Sequence, residues 1–121
     1  MLTTSLHSFA RFILSVIEQA TEFPGCIFIP RMPSMKVVDM ARVIAPGVEH
    51  AIIGMGNGEK LHETLISAEE VERTVGYPDR FIILPHGPVT EEARGLPAPY
   101  VSNTNEDWLD EARLRAMMEG I

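Results

Sequence analysis

Two proline-glycine pairs, Pro24-Gly25 and Pro46-Gly47, cut the first half of this sequence into pieces too short for anything but single helices and strands. Proline removes a backbone donor and glycine loosens the chain, so neither pair belongs inside a regular element. Leu6, Phe9, Phe12, Ile13, Val16, Ile17 and Ala20 recur at helical spacing behind a Thr3-Thr4-Ser5 cluster that can cap, which predicts an amphipathic helix over 6–20. CIFIP, residues 26–30, is a continuous apolar run ended by Pro30, the pattern of a strand buried on both faces. Val38, Ala41, Ile44 and Ala45 share one face of a second helix, which begins after Ser34 and stops at Pro46-Gly47.

The second half is cut as finely. His50 to Met55 reads as another short strand, leading straight into a glycine-rich loop. Ser67 with Glu70 three residues later predicts a capping box that opens a short acidic helix running to about Val75, after which GYPD turns the chain. Phe81 to Leu84 is a third short strand, and 86–105 shows no periodicity and reads as a surface loop or arm. Asp110 caps a closing helix with Leu114, Met117 and Met118 on its apolar face, while the ring of Trp108 is expected to be buried at its start with the indole N–H partnered. Three short strands and four helices place the chain in the α/β class, α+β in isolation. The reading is one domain over 1–121, divided into a core at 1–85, the arm at 86–105 and the closing segment at 106–121.

Charge and composition narrow the function. A net charge of −7 gives a duplex nucleic acid no electrostatic support, although a small anion could still meet a few local donors. The apolar stretch near the start carries Arg11 and falls far short of the ~20 residues of a membrane span. Cys26 is alone in an apolar run, as a small core residue in a reducing compartment would be. No nucleic acid, no membrane and a cytoplasmic location are therefore expected.

The stretch that carries chemistry is GMGNGEKLHETL, residues 54–65. Gly54, Gly56 and Gly58 permit positive φ and close backbone approach, as a phosphate loop needs, but no Lys-Ser/Thr follows at P-loop spacing. A dinucleotide fingerprint fails as well, because Glu59 stands where its third glycine would be. His62-Glu63 lacks a second histidine at i+4, and His50 and His86 have no ligand spacing, so no metal is expected. Glu59 and His62 could exchange a proton, with no nucleophile nearby. On residues alone, the loop is either a ligand site or a glycine turn joining two strands, in a small acidic interaction domain.

A resemblance separates these readings. IIGMGNGEKLHETLIS is similar to the IIG-x-RPGEKLHE segment of nucleotide-sugar dehydratases in the extended short-chain dehydrogenase/reductase superfamily. IFIPRMPSMKVVDMARVIAP resembles the IFVPK-x-PSMK segment of one subgroup, the inverting UDP-N-acetylglucosamine 4,6-dehydratases, and SLHSFARFIL resembles its TLDEAVDFVL helix. FIILP and NEDWLDEARLRAMM are similar to its late strand and closing helix.

The resemblance implies the C-terminal, substrate-binding portion of such a lyase in polysaccharide biosynthesis, with the N-terminal Rossmann domain absent and no catalytic residue in this chain. The family's NADP loop and Tyr-x-x-x-Lys pair lie upstream of these segments. Here Tyr77 and Tyr100 are followed four residues later by Phe81 and Thr104, so no cofactor is expected in this chain and inactivity alone is expected. In the family element the arginine clamps the nucleotide diphosphate and the acid three residues on accepts from the ribose hydroxyls. Glu59 keeps that acid, Asn57 replaces the proline and Gly56 stands at the arginine position, so the resemblance implies a weakened UDP-sugar site made of Gly56, Gly58, Glu59 and Lys60. His62 and Glu63 match the motif as loop supports, and Met35 and Lys36 match SMK as a packed and an exposed residue. Expected partners are a UDP-sugar, a separate N-terminal Rossmann half and a second copy of the chain, the last because the first helix lacks a partner. A non-catalytic remnant is the alternative.

Overall fold

The computed structural model describes residues 1–120. Helix α1 (Leu6–Gln19) leads to β1 (Ile27–Pro30) and α2 (Val37–Ile44); after the glycine loop come β2 (Thr64–Ile66), α3 (Ala68–Val71), β3 (Thr74–Gly76) and β4 (Arg80–Ile83). Helix α4 (Glu91–Arg94), β5 (Tyr100–Val101) and α5 (Glu111–Glu119) complete the described chain. One sheet has the order β1-β4-β3 and a second pairs β2 with β5, and every strand pair is antiparallel. The expected mixed class is found, in its α+β form.

The four expected helices form, and Ser5 caps α1 by accepting from the Ser8 N–H at 3.1 Å. The strand pattern differs from the three expected. No strand forms between His50 and Met55, whereas β2, β3 and β5 are additional. The additional strands are two or three residues long, below the length at which alternation is readable. The helix at Ser67 stops at Val71, because Thr74 turns out to begin β3 and donates its hydroxyl to the Glu70 carbonyl at 2.7 Å. The 86–105 segment, expected to be a structureless arm, carries α4 and β5 and places Tyr100 in the core.

Strand β4 is the centre of the larger sheet, so Phe81, Ile82 and Ile83 are all buried. Strand β1 is an edge strand, not one covered on both faces: Ile27 is half exposed and Cys26 is only half buried. Gly76 is required where β3 meets the end of α4, since a Cβ there would lie 2.9 Å from the Arg94 carbonyl oxygen. Apolar burial divides into two clusters. Leu2, Ile66, Val71, Phe81, Ile83 and Tyr100 form one around the sheets, and Met35, Val43, Leu109 and Leu114 form the other between α2 and α5. The buried face of α2 is thus set by Val43, with Val38 and Ile44 exposed, because Leu109 and Leu114 lie on that side.

Helix α1 is attached by its polar side. Buried Arg80 donates to Ser15 Oγ at 2.7 Å and to Gln19 Oε1 at 3.1 Å, its guanidinium carbon lies 5.0 Å from the Phe12 ring centroid, and Asp79 closes an ion pair at 2.8 Å. Leu6, Ile13, Leu14 and Ile17 face away, exposed. No helix among the described residues is long and apolar enough to cross a membrane.

The capping box at α3 supplies a pH signature. The Ser67 N–H donates to Glu70 Oε2 at 2.9 Å, and this bond, aided by the Ser67 hydroxyl and the Arg73 charge, holds the Glu70 carboxyl below its usual range. A carboxyl lowered by folding adds stability that is complete above its unfolded-state pKa and is lost as pH falls through the folded value. Chemical denaturation should therefore find Glu70→Gln less stable than wild type at neutral pH, with the gap closing in acid. Ser67→Ala should cost about 1 kcal/mol.

Candidate functional site

Between Pro46 and Thr64 every residue is exposed. The segment leaves the helical cluster at Gly47, where φ is +79°, and rejoins the fold at Glu63. There the Glu63 N–H donates to Ser102 Oγ at 3.0 Å and the Ser102 N–H returns a bond to the Glu63 carbonyl at 2.9 Å. Ser102 is buried, so this exchange fixes the loop's exit. Ile52 and Ile53 are each 95% exposed, and Met55 and Leu61 are exposed beside them. Exposed apolar side chains grouped in this way are uncommon on the surface of a monomer.

Inside this segment the glycines set the geometry. Gly54 and Gly58 have φ of +81° and +84°, where side chains are strained, whereas Gly56 has a φ open to any residue. The Gly56 N–H donates to Glu59 Oε2 at 2.7 Å, and the Glu59 N–H donates to the Gly56 carbonyl at 3.2 Å. Glu59 thus closes its own loop: its carboxylate sits against Gly56, where the sequence resemblance leads one to expect an arginine. A Cβ built on Gly56 would lie 3.4 Å from the Glu59 carboxyl carbon, in ordinary contact. Space around Gly54 and Gly58 is open.

Gly56, Gly58 and Glu59 are therefore brought together, while Lys60 and His62 are exposed and make no hydrogen bond among the described residues. Glu63 contributes through its backbone. Met35 is buried in the helical cluster, and exposed Lys36 is the residue preceding α2. The expectation for Trp108 fails: the residue is 43% exposed and Leu109 is buried instead, because the β-bridge between Ser34 and Trp108 turns the following side chain inward. Tyr100, which has no lysine four residues on, is structural. Its hydroxyl accepts from the Met32 N–H at 2.9 Å and donates to the Met32 carbonyl at 2.8 Å, and burial raises its pKa. Arg80 and Ser102 carry no motif and could not have been singled out from the sequence.

The glycine loop does not have the geometry of a dinucleotide site. The glycine loop follows no strand and opens no helix, so a pyrophosphate would meet no helix N-terminus there. No group of three His, Cys, Asp or Glu side chains able to hold a metal occurs among the described residues. What the loop offers is a turn with a carboxylate acceptor, backbone donors and a neighbouring lysine.

A profile of the family described as polysaccharide biosynthesis protein matches residues 3–85. Over 81 residues, 67% of this chain, the sequence is 42% identical to the UDP-N-acetylglucosamine 4,6-dehydratase (inverting) of Campylobacter jejuni serotype O:2. It is 41% identical over 81 residues to the protein of the same name from serotype O:23/36. Each match covers 24% of the relative, so the chain spans about a quarter of the length of these curated proteins. The X-ray structure of Pen from Bacillus thuringiensis superposes with a TM-score of 0.72 over 93% of this chain and 36% of that one, at 23% identity, a likeness of fold.

The closed loop makes a specific spectroscopic prediction. The Gly56 amide should show slowed solvent exchange and a downfield proton shift from its carboxylate acceptor. Both should vanish in Glu59→Ala, while the amides of Ile52 and Ile53 exchange at nearly unprotected rates in both proteins. Unchanged Gly56 exchange in the variant would contradict the loop geometry.

Proposed function

Because the chain belongs to the polysaccharide biosynthesis protein family, we propose that it supplies the sugar-nucleotide-binding part of a UDP-N-acetylglucosamine 4,6-dehydratase. The observation that carries this reading is Glu59, presented by a glycine turn in the IIG…GEKLHE segment and in no ion pair among the described residues. One carboxylate oxygen accepts from Gly56, which leaves the other for a ribose hydroxyl. Backbone donors around Gly58 and the Lys60 ammonium meet the diphosphate.

The elimination chemistry belongs to a Rossmann body outside the described residues, in the same or a separate polypeptide, which brings NADP and the Tyr-x-x-x-Lys pair. Support comes from the misfit of this chain's loop to a dinucleotide, the exposed Ile52, Ile53, Met55 and Leu61, and the outward apolar side of α1. Without that body, the same surfaces drive self-association, and the chain alone converts no UDP-N-acetylglucosamine. A reducing, cytoplasmic setting forms part of the proposal, in keeping with the single free thiol of Cys26.

Gly56 favours a second reading, a remnant that has lost tight binding. A bidentate guanidinium contact is worth roughly 1.5–3 kcal/mol, and a glycine cannot provide it.

Calorimetric titration of UDP tests whether the loop is a nucleotide site at all. Since the φ at Gly56 accepts a side chain, Gly56→Arg should tighten UDP binding about ten-fold, equal to about 1.4 kcal/mol. The gain should shrink with added salt, because part of it is Coulombic. Glu59→Ala should weaken binding in either background. Equal affinities in all three proteins would mean that the loop is only a turn.

A further inference from the structure

A cavity of about 510 Å³ lies beside β4, on a part of the molecule that shares no residue with the glycine loop. Its size is that of a small-molecule site. The apolar wall comes from Phe81, Leu96, Pro97, Pro99 and Tyr100, with the Phe81 and Tyr100 ring centroids 5.3 Å apart. The Tyr100 ring is held in place by the two bonds between its hydroxyl and the Met32 backbone.

Arg31, the exposed residue that follows β1, also lines the cavity. Its guanidinium carbon lies 4.0 Å from the Phe81 ring centroid, and its Nε donates to the Tyr77 carbonyl at 2.6 Å. Stacking and this bond together fix the plane of the guanidinium, while its terminal nitrogens donate to no acceptor among the described residues. Arg31 takes part in no ion pair among those residues either.

The acids around the same space are differently committed. Asp79 is bonded to Arg80 at 2.8 Å and Asp107 to Arg113 at 2.7 Å, so each of those charges is offset chiefly by a cation outside the cavity wall, with Arg31 a lesser influence on Asp79. Glu106 remains, exposed and without a hydrogen bond among the described residues. The oriented charge is therefore the arginine, and the unrestrained one is an acid at the edge.

We infer that this cavity binds a small anion with an apolar body, the anionic group on the Arg31 guanidinium and the body against Phe81, Tyr100 and the prolines. A guanidinium already held flat loses little freedom on pairing with a carboxylate or phosphate, which is the condition for selective binding rather than loose attraction. Glu106 opposes the ligand's charge and sets the affinity below what Arg31 alone would give.

The test uses the full chain, isotope-labelled, titrated with benzoate, phenyl phosphate and neutral benzamide while amide shifts are followed. Both anions should give saturable shifts at Arg31, Phe81, Leu96 and Tyr100, and their relative affinities distinguish a carboxylate from a phosphate ligand. Benzamide should bind at least about ten-fold more weakly than the better anion. Arg31→Gln should lose about ten-fold in anion affinity, Arg31→Lys should retain part of it, and Glu106→Gln should strengthen binding. Glu106 is exposed and bonded to nothing described, so that variant tests the charge logic even where Arg31→Gln disturbs packing. Absence of saturable shifts, equal binding of benzamide, unaltered affinity in Arg31→Gln, or weaker binding in Glu106→Gln would each overturn the inference.

Discussion

Ser34 is fully buried, and each of its polar groups has to find a partner inside the protein. Its N–H donates to the Asp107 carbonyl at 2.8 Å, its carbonyl accepts from the Leu109 N–H at 2.8 Å, and its hydroxyl accepts from Asn105 Nδ2 at 3.1 Å. Bridges to Leu2 on one side and Trp108 on the other run through the same residue. These bonds join the sheet cluster to the helical cluster, because Leu2 packs in the first and Leu109 in the second. Asn105 extends the junction by donating also to the Met32 carbonyl at 2.8 Å, where Tyr100 arrives as well. Buried, hydrogen-bonded backbone thus does the joining that a single larger apolar core would do in a more regular fold.

This frame is ordered around residues 32–35 and 100–109, and it leaves two surfaces with no such restraint. Among the described residues, the glycine segment is tied at its ends, by the bond from the Val48 N–H to the Ala45 carbonyl at 3.3 Å and by the exchange between Glu63 and Ser102. Helix α1 rests on Arg80 through Ser15, Gln19 and Phe12, which uses up its polar side and turns its apolar side outward. Both surfaces are apolar where a monomer in water would be polar, and the chain spans only about a quarter of the length of the curated relatives it matches.

Much of this was legible in the sequence where the signal is local. The helix caps at Ser5 and Asp110, the capping box at Ser67 and the stops at Pro24-Gly25 and Pro46-Gly47 rest on contacts within four residues, and they are found in place. The apolar run before the glycine loop has the composition of a strand and forms none, because Ile52 and Ile53 have no neighbouring strand to pair with. Conversely, Thr64–Ile66 and Tyr100–Val101 exist only because they find each other across the chain. Trp108 shows the same limit: which of two adjacent apolar residues points inward is decided by a bridge to Ser34, a contact across more than seventy residues. The site was legible in its glycines and in Glu59, whereas the bond from Gly56 to the Glu59 carboxylate needed coordinates. The Arg31 cavity draws on separate stretches of chain and leaves no mark in any one of them.

Hydrogen exchange of the full chain with and without saturating UDP is the most direct measurement of whether the glycine segment is a sugar-nucleotide site. UDP should slow exchange between Gly54 and Lys60, with little change in α2, α5 or the sheet, and the protection should disappear in Glu59→Ala. Exchange that stays unchanged over this segment at saturating UDP, or protection that appears only elsewhere in the chain, would contradict the assignment.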